Sequence, residues 1–182
     1  MEKITLVGCG QIGSRHLQSI AKLEKSLLIN IVEPDNRARQ VAKRRLNDIS
    51  KNLKHKVIWY KDIKELKETS DVTIVSTYSS NRVKLVTKLL QMGHSRFLLE
   101  KPVCQSIEEY DFLKKQIKKY HAKMWVNVPR RYTKSYEDLK RNQKENPSQI
   151  YIIGGNFGLG SNIIHFIDLF SWFVNDYKVK IN

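Results

Sequence analysis

At 182 residues, with 41% apolar and 28% charged side chains, the chain is long enough to bury a core, too ordinary in composition to read as disordered, and without an apolar run that reaches membrane-span length. Its one unusual global property is a formal net charge of +15. The basic residues are spread along amphipathic segments (Arg37, Arg39, Lys43, Arg44 and Arg45; then Lys114, Lys115, Lys118 and Lys119), which reads as solvated helix faces and makes a nucleic-acid footprint the lesser reading.

In chain order, residues 3–7 read as a strand ending in a glycine turn. Residue 11 to about 24 has helical periodicity, with Ile12, His16, Leu17, Ile20 and Leu23 on one face. Residues 27–32 form a second buried strand, and the helix after it aligns Ala38, Val41, Ala42, Leu46 and Ile49. Strands follow at 57–60 and 71–76, then a helix over 81–91 that turns Val83, Val86, Leu89 and Leu90 inward and stops at Gly93. Residues 96–99 make another strand, and Ser106 with Glu109 has capping-box spacing for a helix burying Ile107, Tyr110, Leu113 and Ile117. A strand over 124–128 closes the series.

Strands alternating with helices of these lengths predict an α/β fold with a doubly wound parallel sheet ending near residue 128. Beyond Pro129 the pattern changes to a polar helix around 132–144, an extended segment over 148–156 and a nearly all-apolar helix over about 162–174. The expected organisation is therefore a Rossmann domain over 1–128 and a partial α+β second domain over 129–182. The opening MEKITLVGCG lacks the basic start and cleavage site of a signal peptide, so a cytoplasmic protein is expected. Cys9 and Cys104 have no metal-ligand spacing and read as reduced thiols.

Three strings carry chemistry. In GCGQIG, Gly8, Gly10 and Gly13 stand directly between the first strand and first helix. That is the dinucleotide-binding context, in which the glycines permit a tight turn, close approach of a diphosphate and tight helix packing. Glu33 ends the second strand twenty residues after Gly13, where an acid binds the adenosine ribose hydroxyls. A carboxylate there repels a 2′-phosphate and favours NAD, while Arg37 and Arg39 just beyond it keep NADP open. In LLEKPV, Glu100 and Lys101 fall at the C-terminal edge of a parallel strand, the edge where open α/β sheets bind ligands. Lys101 is able there to hydrogen-bond a substrate hydroxyl, although on composition alone a solvated lysine is the favoured reading. On the last helix Ser161, His165 and Asp168 share a face at i, i+4 and i+7, so His165 reads either as a proton acceptor or as a satisfied core histidine.

These strings, in this order, resemble the Gfo/Idh/MocA family of NAD(P)-dependent oxidoreductases, many of whose members act on sugars, inositols and nucleotide sugars. The resemblance runs through VGCGQIGSRHLQSI, VEPD, DVTIVSTYSSNR, LLEKPV, VNVPRRY and GSNIIHFIDLF, with EKP its most specific part. It implies that Gly8, Gly10, Gln11, Ile12, Gly13, Glu33, Ser76, Thr77 and Tyr78 contact the cofactor. It places Glu100 and Lys101 near the nicotinamide, Lys101 also against a sugar-like substrate, and gives His165 an acid/base role. Asn127, Arg130 and Arg131 match the segment leading into the second domain; the two arginines read at least as readily as a solvated pair as they do as contacts to an anionic substrate group, and Ser161 is a further candidate substrate contact. The family's second domain also implies a homo-oligomer.

Two departures from the family bear on activity. Ser161 stands where many members have an aspartate four residues before the histidine, which argues for a different substrate. Typical members also continue well past this helix, whereas the chain stops at Asn182, so the alternative expectation is a truncated, non-catalytic dinucleotide-binding protein.

Overall fold

The computed structural model describes residues 1–49, 54–147, 149–156, 158–176 and 178. The chain forms two compact units, Met1–Val126 and Asn127–Asn182.

The first unit is a six-stranded sheet of β1 (Glu2–Val7), β2 (Leu27–Val32), β3 (Lys56–Tyr60), β4 (Val72–Val75), β5 (Arg96–Leu99) and β6 (Lys123–Val126) in the order β3-β2-β1-β4-β5-β6. Every pairing is parallel; Val7 lies beside Val32 on one side and Val75 on the other. The strand order reverses at β1, and the crevice between the C-terminal ends of β1 and β4 is the switch point where doubly wound sheets bind ligands.

The period of two along each strand separates two apolar layers. Leu6, Ile29, Ile31 and Ile74 face one way and pack with Leu17 and Ile20 of α1 (Gln11–Ala21) and Ala42 and Leu46 of α2 (Asn36–Asn47). Val7, Val32, Val75, Phe97 and Leu99 face the other way and meet Val83, Val86, Leu89 and Leu90 of α3 (Arg82–Gln91) and Leu113 of α4 (Ile107–Lys119). Helix ends follow local chemistry. Asp35 caps α2 by accepting from Ala38 N–H at 2.6 Å, Ser106 caps α4 through Glu109 N–H at 3.3 Å, and Gly93 leaves α3 with φ +94°.

Periodicity found the helix faces but not the burial of every residue on them. Ile12 and Leu23 are exposed at the two ends of the α1 face. On α4 the expected core residues Ile107 and Tyr110 are also exposed, because only the later turns, through Leu113 and Ile117, reach the sheet. Tyr110 instead lies under the Lys114 ammonium, 5.3 Å from the ring centroid.

The second unit has a 3-10 turn at Pro129–Tyr132, then α5 (Lys134–Asn142) and α6 (Leu159–Val174). Polar side chains from α5 and just beyond it satisfy the end of α6. Lys140 Nζ donates to Trp172 O and, at 2.7 Å, to Asn175 Oδ1; Gln143 Nε2 donates to Phe173 O at 3.1 Å. Ser148 of the expected extended segment lies outside the described residues; residues 149–156 pair with no strand, and Ile153 is 96% exposed. No helix among the described residues is long and apolar enough to cross a membrane.

Candidate functional site

The ladder that builds the sheet runs on into the loops at its C-terminal edge. Gly8 N–H donates to Val32 O at 2.9 Å, Ser76 N–H to Val7 O at 2.9 Å and Glu100 N–H to Val75 O at 3.0 Å. The loops after β1, β2, β4 and β5 are thereby held at one level around a cavity of about 1220 Å³. Gly8, Gly10, Gln11, Ile12, Glu33, Ser76, Thr77, Tyr78, Glu100 and Lys101 line it; Gly13 does not.

Each glycine of the turn has its own steric reason. Gly8 has φ +83°, and a Cβ there would stand 2.9 Å from the Thr77 backbone nitrogen. A Cβ on Gly13 would fall 2.0 Å from Gly8 O and 2.7 Å from Ser76 Oγ, so this glycine lets α1 sit against the turn. A Cβ on Gly10 would meet nothing within 4 Å: it faces open cavity. Gly10 is also the N-cap of α1, and no side chain caps that helix. An uncapped N-terminus beside an open, Cβ-free approach fits the diphosphate of a dinucleotide.

Glu33 is 7% exposed and turned toward this corner. Its Oε2 accepts from Cys9 N–H at 2.6 Å and its Oε1 from Asp35 N–H at 3.0 Å, so the carboxylate is fixed by two backbone amides and keeps lone pairs for further donors. Burial, with Glu33 beside it, pushes the Cys9 thiol up to about 12 and keeps it a neutral packing group. Arg45 of α2 braces the first turn of α1, donating to Ser14 Oγ at 2.5 Å and to Gln11 Oε1 at 2.7 Å. Of the two arginines that kept NADP open, Arg37 is exposed and does not line the cavity, while the Arg39 guanidinium lies 5.8 Å from the Trp59 ring centroid.

Thr77 Oγ1 is buried without a hydrogen-bond partner among the described residues, and the neighbouring Tyr78 ring is 93% exposed on the rim. Both line the cavity. Glu100 Oε1 lies 2.8 Å from His16 Nε2, which joins the turn after β5 to α1. The Lys101–Pro102 peptide is cis. Arg82, at the start of α3, donates to the carbonyl oxygens of Glu100, Pro102 and Thr77.

The candidate residues of the second unit meet one another. Arg131 forms a two-pronged ion pair with Asp168, Nε to Oδ2 being 3.0 Å. Arg130 stacks on Phe166 with its Cζ 4.0 Å from the ring centroid and Nη2 3.5 Å from Asn162 Oδ1. Ser161 Oγ donates to Gly158 O at 3.0 Å, and His165 is half-buried on α6.

Sequence reasoning missed His16 and Arg82. His16 was placed on an apolar helix face, where its spacing from Gly13 carried no sign of a carboxylate 84 residues away. Arg82 was one basic residue among 33, and its three partners lie in other segments of the chain.

A parallel sheet in the order 3-2-1-4-5-6, a glycine turn opening on an uncapped helix and a fixed acid at the next strand's tip define a dinucleotide-binding Rossmann domain. The profile of the Gfo/Idh/MocA oxidoreductase family, described as having an NAD-binding Rossmann fold, matches residues 3–128, and the chain belongs to that family. Among solved structures it is similar to scyllo-inositol dehydrogenase from Lactobacillus casei with bound NAD(H) and scyllo-inositol, at 19% identity and TM-score 0.71, covering 96% of this chain and 56% of that one. Myo-inositol dehydrogenase from the same organism, in complex with NAD(H) and myo-inositol, gives 19% identity and TM-score 0.70 over 96% and 55%. The WlbA dehydrogenase from Thermus thermophilus, in complex with NAD and UDP-GlcNAcA, gives 20% and 0.67 over 95% and 63%. The chain thus spans little more than half the length of the inositol dehydrogenases it matches. No curated protein matches it by sequence.

Proposed function

We propose that the chain acts as an NAD-dependent oxidoreductase on a carbinol carbon of a sugar-, inositol- or nucleotide-sugar-like substrate. In this reading residues 1–128 are the dinucleotide-binding domain and 129–182 begin the substrate domain. The observation that carries it is the Glu33 carboxylate, held by the Cys9 and Asp35 amides next to the open Gly10 approach. Glu33 accepts from the adenosine ribose hydroxyls, the first turn of α1 takes the diphosphate, and Ser76, Thr77 and Tyr78 flank the rest of the cofactor. When bound, the nicotinamide supplies the hydride-accepting carbon. The Lys101 ammonium donates a hydrogen bond to the reacting substrate oxygen, favouring the charge that develops there as the hydroxyl loses its proton. The role of proton acceptor falls to His165, and those of further substrate contacts to Ser161, Arg130 and Arg131, on the resemblance of VNVPRRY and GSNIIHFIDLF to the family's motifs; these residues lie beyond the stretch that its profile matches.

NAD is favoured over NADP because the fixed carboxylate repels a 2′-phosphate while Arg37 and Arg39 do not line the cavity. Calorimetric titration with NADH and NADPH tests this without the substrate. NADH is expected to bind at least about tenfold more tightly, the equivalent of about 1.4 kcal/mol. Equal affinities defeat the NAD assignment, and binding of neither defeats the cofactor reading. Lys101→Ala is then expected to keep NADH binding while abolishing turnover across a panel of sugars, inositols and nucleotide sugars; turnover that survives removes Lys101 from the chemistry.

A further inference from the structure

Arg82 is 2% exposed and stands where a cation is unfavourable on two counts. It is the first residue of α3, at the positive end of the helix dipole. Burial also lowers the pKa of its guanidinium, an effect opposed by the nearby Glu100 carboxylate and by Cys104. Its neighbours Val83 and Val86 are core residues, so an apolar side chain at this position would serve packing without desolvating a charge. Compensation within the protein is incomplete, since Arg82 Nε is buried without a partner among the described residues.

An arginine does one thing here that an apolar residue does not. Its Nη1 donates to the carbonyls of Glu100 and Pro102, the residues on either side of Lys101, and its Nη2 donates to the carbonyl of Thr77. One planar fork therefore ties the turn after β5 to the loop after β4. Across the turn, His16 of α1 holds the Glu100 carboxylate. The turn bearing Lys101 is held through its carbonyls by Arg82 on one side and through the Glu100 carboxylate by His16 on the other.

We propose that Arg82 is a positioning residue for Lys101: it sets the height and direction of the Glu100–Pro102 turn against the Thr77 loop, and so shapes the end of the cavity that receives the nicotinamide ring. This rests on the cofactor reading above. It makes a prediction that a purely structural role does not, because removal of Arg82 disturbs the nicotinamide end and spares the adenosine end at Glu33.

NADH and ADP-ribose, which lacks the nicotinamide ring, separate the two ends. By calorimetry on the full chain, Arg82→Ala is expected to weaken NADH by about tenfold or more and ADP-ribose by less than about twofold, with millimolar guanidinium restoring part of the NADH affinity. Where Arg82→Ala does not fold, Arg82→Lys gives the same comparison: it keeps the charge, loses the fork, and is expected to weaken NADH selectively. Equal loss of both ligands, loss of neither, or a loss that guanidinium leaves unchanged in Arg82→Ala overturns the positioning role. Unmutated protein that binds neither ligand overturns the cofactor reading and this inference with it, a result recognisable before any variant is made.

Discussion

One added methyl group, placed first at Gly13 and then at Gly10, separates what the glycine turn does for the fold from what it does for a ligand. At Gly13 the new Cβ would stand 2.0 Å from Gly8 O, more than an ångström inside normal contact with a backbone atom that no rotamer change can move. Forced overpacking of this kind costs about 1–3 kcal/mol, with this contact at the upper end. Alanine returns up to about 1 kcal/mol of helix propensity, because Gly13 lies within α1. The net of about 2 kcal/mol lowers the melting temperature of a unit this size by roughly 5–10 °C. At Gly10 the Cβ meets nothing within 4 Å, so the fold is expected to melt at or slightly above the unmutated temperature. The same methyl occupies the approach to the α1 amides, and about 2 kcal/mol of steric conflict there weakens NADH roughly thirtyfold. Thermal unfolding without ligand and NADH titration give the two readouts. A Gly10→Ala protein that binds NADH normally, or a Gly13→Ala protein that melts with the unmutated one, refutes the assignment of the turn.

Two further perturbations address the buried polar groups. Glu33→Gln places an NH2 group against one of the Cys9 and Asp35 amides and leaves a donor unsatisfied. The expected loss is about 1–3 kcal/mol of stability by urea titration, with the NADH-over-NADPH preference narrowing to within about threefold; an unchanged preference removes Glu33 from cofactor selection. His94 is buried at the opposite edge of the sheet, with Nδ1 2.7 Å from Thr73 Oγ1, and burial lowers its pKa from 6.5. The stability of the neutral histidine is fully present above pH 6.5. It declines as pH falls toward the lower folded value, because in that window the unfolded chain binds the proton more readily. Urea midpoints at pH 8 and pH 5 should fall further apart in the unmutated chain than in His94→Gln; equal separations show that other groups carry the acid sensitivity.

How much of this was legible in the sequence depends on the range over which each signal acts. The glycine turn, Glu33 at the second strand's tip and Glu100–Lys101 at the fifth strand's edge are set by local pattern, because a buried parallel strand must be apolar and must end where its loop begins. The inward faces of α3 and β4 were readable for the same reason. Periodicity gives direction and not depth, which is why Ile107 and Tyr110 lie on the expected face of α4 and yet remain in solvent. In the second unit the apolar helix was legible, whereas the pairing of Arg131 with Asp168, 37 residues apart, was not.

The groups that hold the site in place were the hardest to read, and there is a physical reason for it. A residue that touches a ligand sits at a strand end or in a turn, where the backbone leaves its own marks: a glycine, a proline or an acid at fixed spacing. A residue that orients the turn from behind is chosen by distance in space, and its type is uninformative where 33 lysines and arginines serve mainly as solvated surface. Arg82 differs from these others only in being buried, at the wrong end of a helix dipole, with its fork closed on three carbonyls. Burial of a cation against backbone oxygens is a tertiary property. It turns an ordinary surface residue type into the brace behind Lys101, and it enters view only once β4, β5 and α3 are folded against one another.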